Sequence, residues 1–163
     1  MAVRKSSDTA RVRKLGRSDY RIVAHIDIDA PGNEVWSVLT DWEHLADWNS
    51  SFLALTGDFV EGGQVRTTFR MLGVKRHYEH ELMDFIEGRQ FGWSDPFLFG
   101  MTDHHIFRVE PIDSDRTRFH QTDRVYAGAS SVFGALTARL VMRMHARFNR
   151  ALAAEVARRR AEH

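Results

Sequence analysis

The chain of 163 residues contains no cysteine. This removes disulfides and thiolate metal ligands, and it fits a reducing compartment. No apolar run approaches the roughly 20 residues needed to cross a bilayer, and the basic N-terminus has no apolar stretch after it of the kind an export signal carries. The expectation is a soluble, cytoplasmic protein. A Gly-rich phosphate loop is also missing, since Glu61-Gly62-Gly63 reads as a hairpin turn. Ser130 and Ser131 stand at a predicted helix start, where capping is the expected role, and nothing supports a nucleophilic serine. No internal repeat or low-complexity tract is visible.

What is present is a composition of 43% hydrophobic residues, enough for one domain with a real core. The net charge of +1 hides an uneven distribution. Residues 1–19 carry six basic side chains against Asp8 and Asp19, and residues 129–163 carry seven arginines against Glu155 and Glu162. The middle therefore holds ten basic and eighteen acidic residues. Basic ends of this kind could meet RNA, a ribosome, a membrane surface or the acidic middle of the same chain. No aromatic residues interleave with them to make a stacking platform, which argues against nucleic acid. Peripheral membrane contact stays open.

The last thirty residues organise the rest. Phe133, Leu136, Leu140, Met144, Phe148, Leu152 and Val156 recur at threes and fours, which predicts one apolar stripe on a helix over 129–160, with Arg139, Arg143, Arg147 and Arg150 off it. At about 1.5 Å per residue such a helix reaches roughly 45 Å and needs something broad to lie across. Residues 1–18 are polar and without period, so they read as a mobile arm preceding one domain over 19–163. Tyr20, Ile22, Ala24, Ile26 and Ile28 alternate with Arg21, His25 and Asp27, with only Val23 out of class, as a half-buried strand. Two short helices follow, one opened by Pro31 and one from Glu43 to Trp48. Six further strands are predicted: 52–59, 65–71, 75–87 with a bulge near Leu82, one around Phe91 and Trp93, 101–109 and 118–125. Short turns between successive strands imply antiparallel pairing.

The order of motifs carries a family likeness. Ile28-Asp29-Ala30-Pro31, Val35-Trp36-Ser37-Val38-Leu39-Thr40-Asp41 and Asp47-Trp48-Asn49 resemble the opening of START-like (SRPBCC) proteins of the polyketide cyclase/dehydrase and lipid-transport type. His105-x-Phe107-x-Val109-Glu110-Pro111, Thr117-Arg118-Phe119 and Phe148-Asn149-Arg150-Ala151-Leu152 are similar to the family's closing strands and helix. The resemblance implies an α+β helix-grip fold: a curved seven-stranded antiparallel sheet around a long C-terminal helix, with two short helices after the first strand. It also implies a cavity between sheet and helix for a small hydrophobic ligand, in proteins that range from carriers to aromatases, cyclases and hydrolases. Fold alone does not choose among those roles.

With the apolar phase of each strand turned toward the helix, the expected ligand wall includes Phe69, Phe91, Trp93, Phe107 and Phe119, with Trp48 from the second short helix and Leu136, Leu140 and Met144 from the long one. Asp103, His105, Gln121 and Asp123 share that inward phase. Strand pairing should bring His105 opposite Gln121 or Asp123, so that an imidazole and a carboxylate come within reach. Such a pair could orient one polar group of a ligand. It could also work as an acid/base pair, with His105 transferring the proton and Asp123 fixing its tautomer, in a cyclase, dehydratase or hydrolase. His77, Glu79 and Glu81 fall on one strand face and His80 on the other, adjacent His104 and His105 point oppositely, and no helical His-x-x-x-His pair occurs. No metal and no cofactor are expected.

Overall fold

The structure, a computed structural model, describes residues 7–71, 73–96 and 98–162. Its order is β1 (Asp8–Gly16), β2 (Asp19–Ile28), α1 (Gly32–Leu39), α2 (Leu45–Trp48), β3 (Phe52–Gly57), β4 (Gln64–Met71), β5 (Val74–Glu81), β6 (Met83–Ile86), β7 (Gln90–Pro96), β8 (Thr102–Asp113), β9 (Arg116–Tyr126) and α3 (Ser130–Ala161). The strands form a six-stranded antiparallel sheet, β1-β2-β9-β8-β7-β6, and a three-stranded one, β3-β4-β5. Both wrap toward α3, as a helix-grip fold requires.

Nine strands stand where seven were expected, for two reasons. The first is β1, which replaces the predicted arm from Asp8 onward and pairs Ala10 with Ala24 and Val12 with Ile22. It is an edge strand, and only Ala10 and Val12 are partly covered while Arg11, Arg13 and Lys14 face water. Charge of this kind guards a free edge against further pairing, and it erases the apolar alternation that reveals a strand. Arg4 and Lys5 lie outside the described residues. The second reason is Leu82. The expected bulge is a change of sheet: β5 ends at Glu81, β6 begins at Met83, and the fully buried Leu82 exchanges backbone hydrogen bonds with Gly62 and Gly63.

α3 seats differently in its two halves. Phe148, Leu152 and Val156 are buried in the main core with Phe52, Phe107 and Phe119. Toward its N-terminus the buried face is instead Ser130, Gly134, Ala138 and Val141, while Phe133 and Leu136 are 46% and 71% exposed. The apolar stripe therefore fails over the first two turns. Small residues let the helix backbone close onto β2, where a Cβ at position 134 would stand 2.5 Å from Tyr20 Cε2. Ser130 does not cap the helix, since its hydroxyl donates to the Ser18 carbonyl at 2.7 Å.

This seating gives a sign test. Helix propensity alone would make Gly134→Ala about 1 kcal/mol more stable. Overpacking against Tyr20 reverses the sign, and we expect a loss of about 1–3 kcal/mol in urea unfolding. A raised midpoint would contradict the close seating of α3 on β2.

Acidic residues of the N-terminal strand, the middle of the chain and the helix itself take up part of the charge of the basic C-terminal helix. Arg150 bonds Asp8 (2.7 Å), Arg159 bonds Asp41 (2.8 Å) and Arg160 bonds Glu34 (2.8 Å). Arg158 and Arg159 both hold Glu155, and their bonds outweigh burial to keep its carboxyl down at about 2. These charges tie the helix to β1, α1 and the loop before α2, leaving less for an outside anion.

Candidate functional site

Under the middle of α3 the sheets leave a cavity of about 70 Å³. Its inner wall is Phe52, Trp93, Phe107, Val125, Val141 and Phe148, all buried. Phe69, Met71, Tyr78, Asp103 and Met144 are partly exposed and form its mouth. The aromatic wall is continuous: Phe107 lies 4.7 Å from Phe91, 5.4 Å from Trp93 and 5.9 Å from Phe148 between ring centres. Offset and edge contacts of this kind hold rings at fixed angles.

Four polar side chains break the apolar lining on one side. The register that pairs Asp103 with Val125 and Phe107 with Gln121 sets His105 across from Asp123, one of the two alternatives the strand pattern left open. The hydrogen bonds nevertheless run diagonally. Gln121 Nε2 donates to Asn149 Oδ1 (2.7 Å) and to the His145 carbonyl (3.3 Å), which fixes the amide so that its Oε1 accepts from His105 Nε2 (2.9 Å). That makes Nε2 the protonated nitrogen of His105 and leaves Nδ1 with the lone pair. Asp123 pairs with a residue of α3: His145 Nε2 lies 3.2 Å from its Oδ2. The two imidazoles stack, 4.4 Å apart.

The electrostatics follow from this burial. Removal from water, reinforced by neighbouring His145, drives the pKa of His105 down to about 3, so the ring is neutral at physiological pH. Burial pushes the Asp123 carboxyl the opposite way, but the His145 bond and the field of both rings leave it below its ordinary value. The Arg124 amide also favours the charged form without satisfying Oδ1, which has no hydrogen-bond partner among the described residues. Asn149 Nδ2 is likewise buried without an acceptor there. Buried polar atoms left this way cost about 1–3 kcal/mol each and mark a place where something else can bond.

Of the residues singled out from the sequence, Phe69, Trp93, His105, Phe107, Gln121, Asp123 and Met144 line the cavity. Five do not. Phe91 and Phe119 are fully buried in the core behind the wall. Trp48 packs its ring on Phe148 at 5.2 Å from the far side. Leu136 faces solvent, and Leu140, half-buried, lies outside the lining because the helix is rotated by its small residues. His77 and Glu79 are on the outer face, bonded to Thr68 and Arg66. His80 turns inward onto Trp93, with ring centres 4.9 Å apart. The sequence reading missed His145 and Asn149. Their spacing of four on the helix was the available signal, masked by the neighbouring Met144 and Phe148 that fit the apolar stripe.

A curved antiparallel layer closed on a long terminal helix, with a lined hollow between them, defines the START-like class. The sequence model for polyketide cyclase / dehydrase and lipid transport proteins matches residues 20–157, and the chain belongs to that family. A START superfamily protein from Mycobacterium smegmatis is 18% identical with a TM-score of 0.67, over 85% of this chain and 97% of its own. The Zhui aromatase/cyclase from Streptomyces sp. R1128 is 20% identical with a TM-score of 0.67, over 86% and 95%. The di-domain ARO/CYC StfQ from the steffimycin biosynthetic pathway is 10% identical with a TM-score of 0.70, over 90% of this chain and 54% of that one. No curated protein sequence matches. At these identities the structural likeness establishes the fold.

Proposed function

We propose that the chain binds a small, largely apolar molecule, aromatic or lipid-like, that carries one polar oxygen. The observation that supports this most is Oδ1 of the buried, ionised Asp123, without a hydrogen-bond partner among the described residues, on the polar side of a cavity whose inner wall is largely aromatic. A ligand hydroxyl would donate to it, and the rings of Trp93, Phe107 and Phe148 would supply contact area. The cavity's 70 Å³ is about half of the roughly 150 Å³ known to admit benzene. Binding therefore needs the mouth to open, and the unbranched side chains of Met71 and Met144 are suited to turning aside. Membership of a family that includes lipid carriers and cyclases favours the same ligand class.

The pair 2-naphthol and naphthalene tests this. A hydrogen bond to a charged group is worth about 1.5–3 kcal/mol, so 2-naphthol should bind some 10–100 times more tightly by fluorescence titration. Asp123→Asn should erase most of that preference. Val141→Phe, which fills the hollow, should abolish both. Equal affinities in the wild type, or binding unaffected by Val141→Phe, would refute the proposal.

A second reading rests on the Asp123–His145 pair. An imidazole held by a carboxylate is a general base in waiting, and here the pairing falls on His145 where the strands alone had suggested His105. A cyclase or dehydratase using this pocket would lose turnover in Asp123→Asn while keeping its affinity for substrate carbon.

A further inference from the structure

We infer that His105, Asp123 and His145 form a binding site for one divalent cation of the zinc type, seated on the polar side of the cavity. The inference rests on the pocket reading for its location and goes beyond it by naming a second occupant. One nitrogen of each imidazole and one carboxylate oxygen all lie within 4.8 Å of one another, and the three residues are buried. Two imidazoles and a carboxylate are a donor set for zinc, cobalt or ferrous ions, with coordination positions left over.

Three features distinguish this cluster from a closed hydrogen-bond network. His145 Nε2 and Asp123 Oδ2 are 3.2 Å apart, long for a hydrogen bond to a carboxylate, which usually closes to about 2.7–2.9 Å. Two ligands at about 2.0–2.1 Å from a tetrahedral ion sit about 3.3 Å apart, so this separation already suits a metal between them. The second feature is His105. Its Nε2–H is committed to Gln121 Oε1, which leaves Nδ1 as the lone-pair nitrogen, and a metal-bound histidine is typically held by such a bond from its other nitrogen. Gln121 is itself locked by Asn149 and the His145 carbonyl. Third, Asp123 Oδ1 has no partner among the described residues although the residue is only 4% exposed, an open carboxylate acceptor that a cation would fill. Within the cluster the strands offer one histidine, His105, and α3 supplies the second, while the inward His80 of β5 is held by Thr67 outside it. The cation's remaining positions would face the cavity, where a ligand's carbonyl or hydroxyl oxygen could complete them.

The test is Co²⁺ titration of the full chain after dialysis against a chelator, followed by visible absorption, with Zn²⁺ as competitor. One Co²⁺ per chain is expected, with the strong ligand-field bands of a four- or five-coordinate ion and displacement by Zn²⁺. Asp123→Asn and His145→Gln should each lower affinity by more than about 100-fold, beyond the 10–100-fold typical of losing an outer partner, which Gln121→Leu should show. His77→Gln and His120→Gln, on the outer faces, should change nothing. Stoichiometric binding absent from the wild type, retained in Asp123→Asn, or lost in His77→Gln overturns the inference. Should a variant fail to unfold cooperatively, the paramagnetically shifted imidazole protons of Co²⁺-loaded wild type decide, and they must belong to His105 and His145. Metal binding absent with 2-naphthol binding intact removes this inference alone, whereas loss of both removes the pocket reading.

Discussion

Acidification from pH 7 to pH 4 destabilises the wild-type protein by roughly 2–4 kcal/mol more than it destabilises His105→Gln. The reason is that a proton prefers the unfolded chain. His105 titrates at its ordinary 6.5 when unfolded and at about 3 when folded, so the native state forgoes a proton that the unfolded state takes up. Stability carried by the neutral ring is complete above pH 6.5 and drains away as the pH falls toward 3, at about 1.4 kcal/mol per unit. Burial of the ring fixes the sign. Neighbouring His145 and His80 add to the effect of burial, while Asp123 and the bond to Gln121 Oε1 oppose it without reversing it. His120 is also held below its usual value, chiefly by burial, and contributes in the same sense, but it is common to both proteins. Urea unfolding at unit steps from pH 7 to pH 4 checks this, and the difference should open between pH 6.5 and 5, before most carboxylates titrate. Parallel pH profiles for the two proteins would mean that His105 is hydrated or charged in the folded state.

The other large effect is expected at Phe107. Its ring touches those of Phe52, Phe91, Trp93, Phe119 and Phe148 at centre distances of 4.7–6.4 Å, and it is 1% exposed. Phe107→Ala should cost about 3–5 kcal/mol, the transfer term plus the void left among rings that cannot all collapse into it. Because Phe107 is also a wall of the cavity, the void merges with it. Benzene or indole should therefore bind the variant and raise its melting temperature in a concentration-dependent way, by mass action on the native state alone. The wild type, with its smaller hollow, should respond weakly. A loss under 1 kcal/mol, or a variant indifferent to benzene, would show that Phe107 is not part of that wall.

The sequence made the fold readable because most elements announce themselves by period. β2 and β9 alternate strictly since one face is dry, and the Asp-Ala-Pro opening of α1 marks its start. The same alternation narrowed the register between β8 and β9 to two alternatives, either of which brings His105 close to Gln121 and Asp123. What stayed hidden has physical causes. β1 carries its information in backbone pairing at an edge, not in side-chain polarity. The orientation of α3 is decided by where a backbone can approach, at Ser130, Gly134 and Ala138, and a search for large apolar residues passes over such positions. For the same reason Leu136 and Leu140 drew attention while His145 and Asn149, on the true inner face, did not. Distinguishing Phe107 on the wall from Phe119 behind it requires depth, which a strand's two-residue period does not encode.

Ligand occupancy of the hollow is tested most directly by heteronuclear NMR of the full chain during titration with 2-naphthol. Shift changes are expected at Phe69, Trp93, His105, Asp123 and Met144, saturating together with one affinity, and with intermolecular contacts from the naphthyl protons to the Met71 and Met144 methyl groups. Saturation with no change at those residues, or changes confined to the exposed surface around Phe99 and Phe133, would contradict a binding site beneath α3.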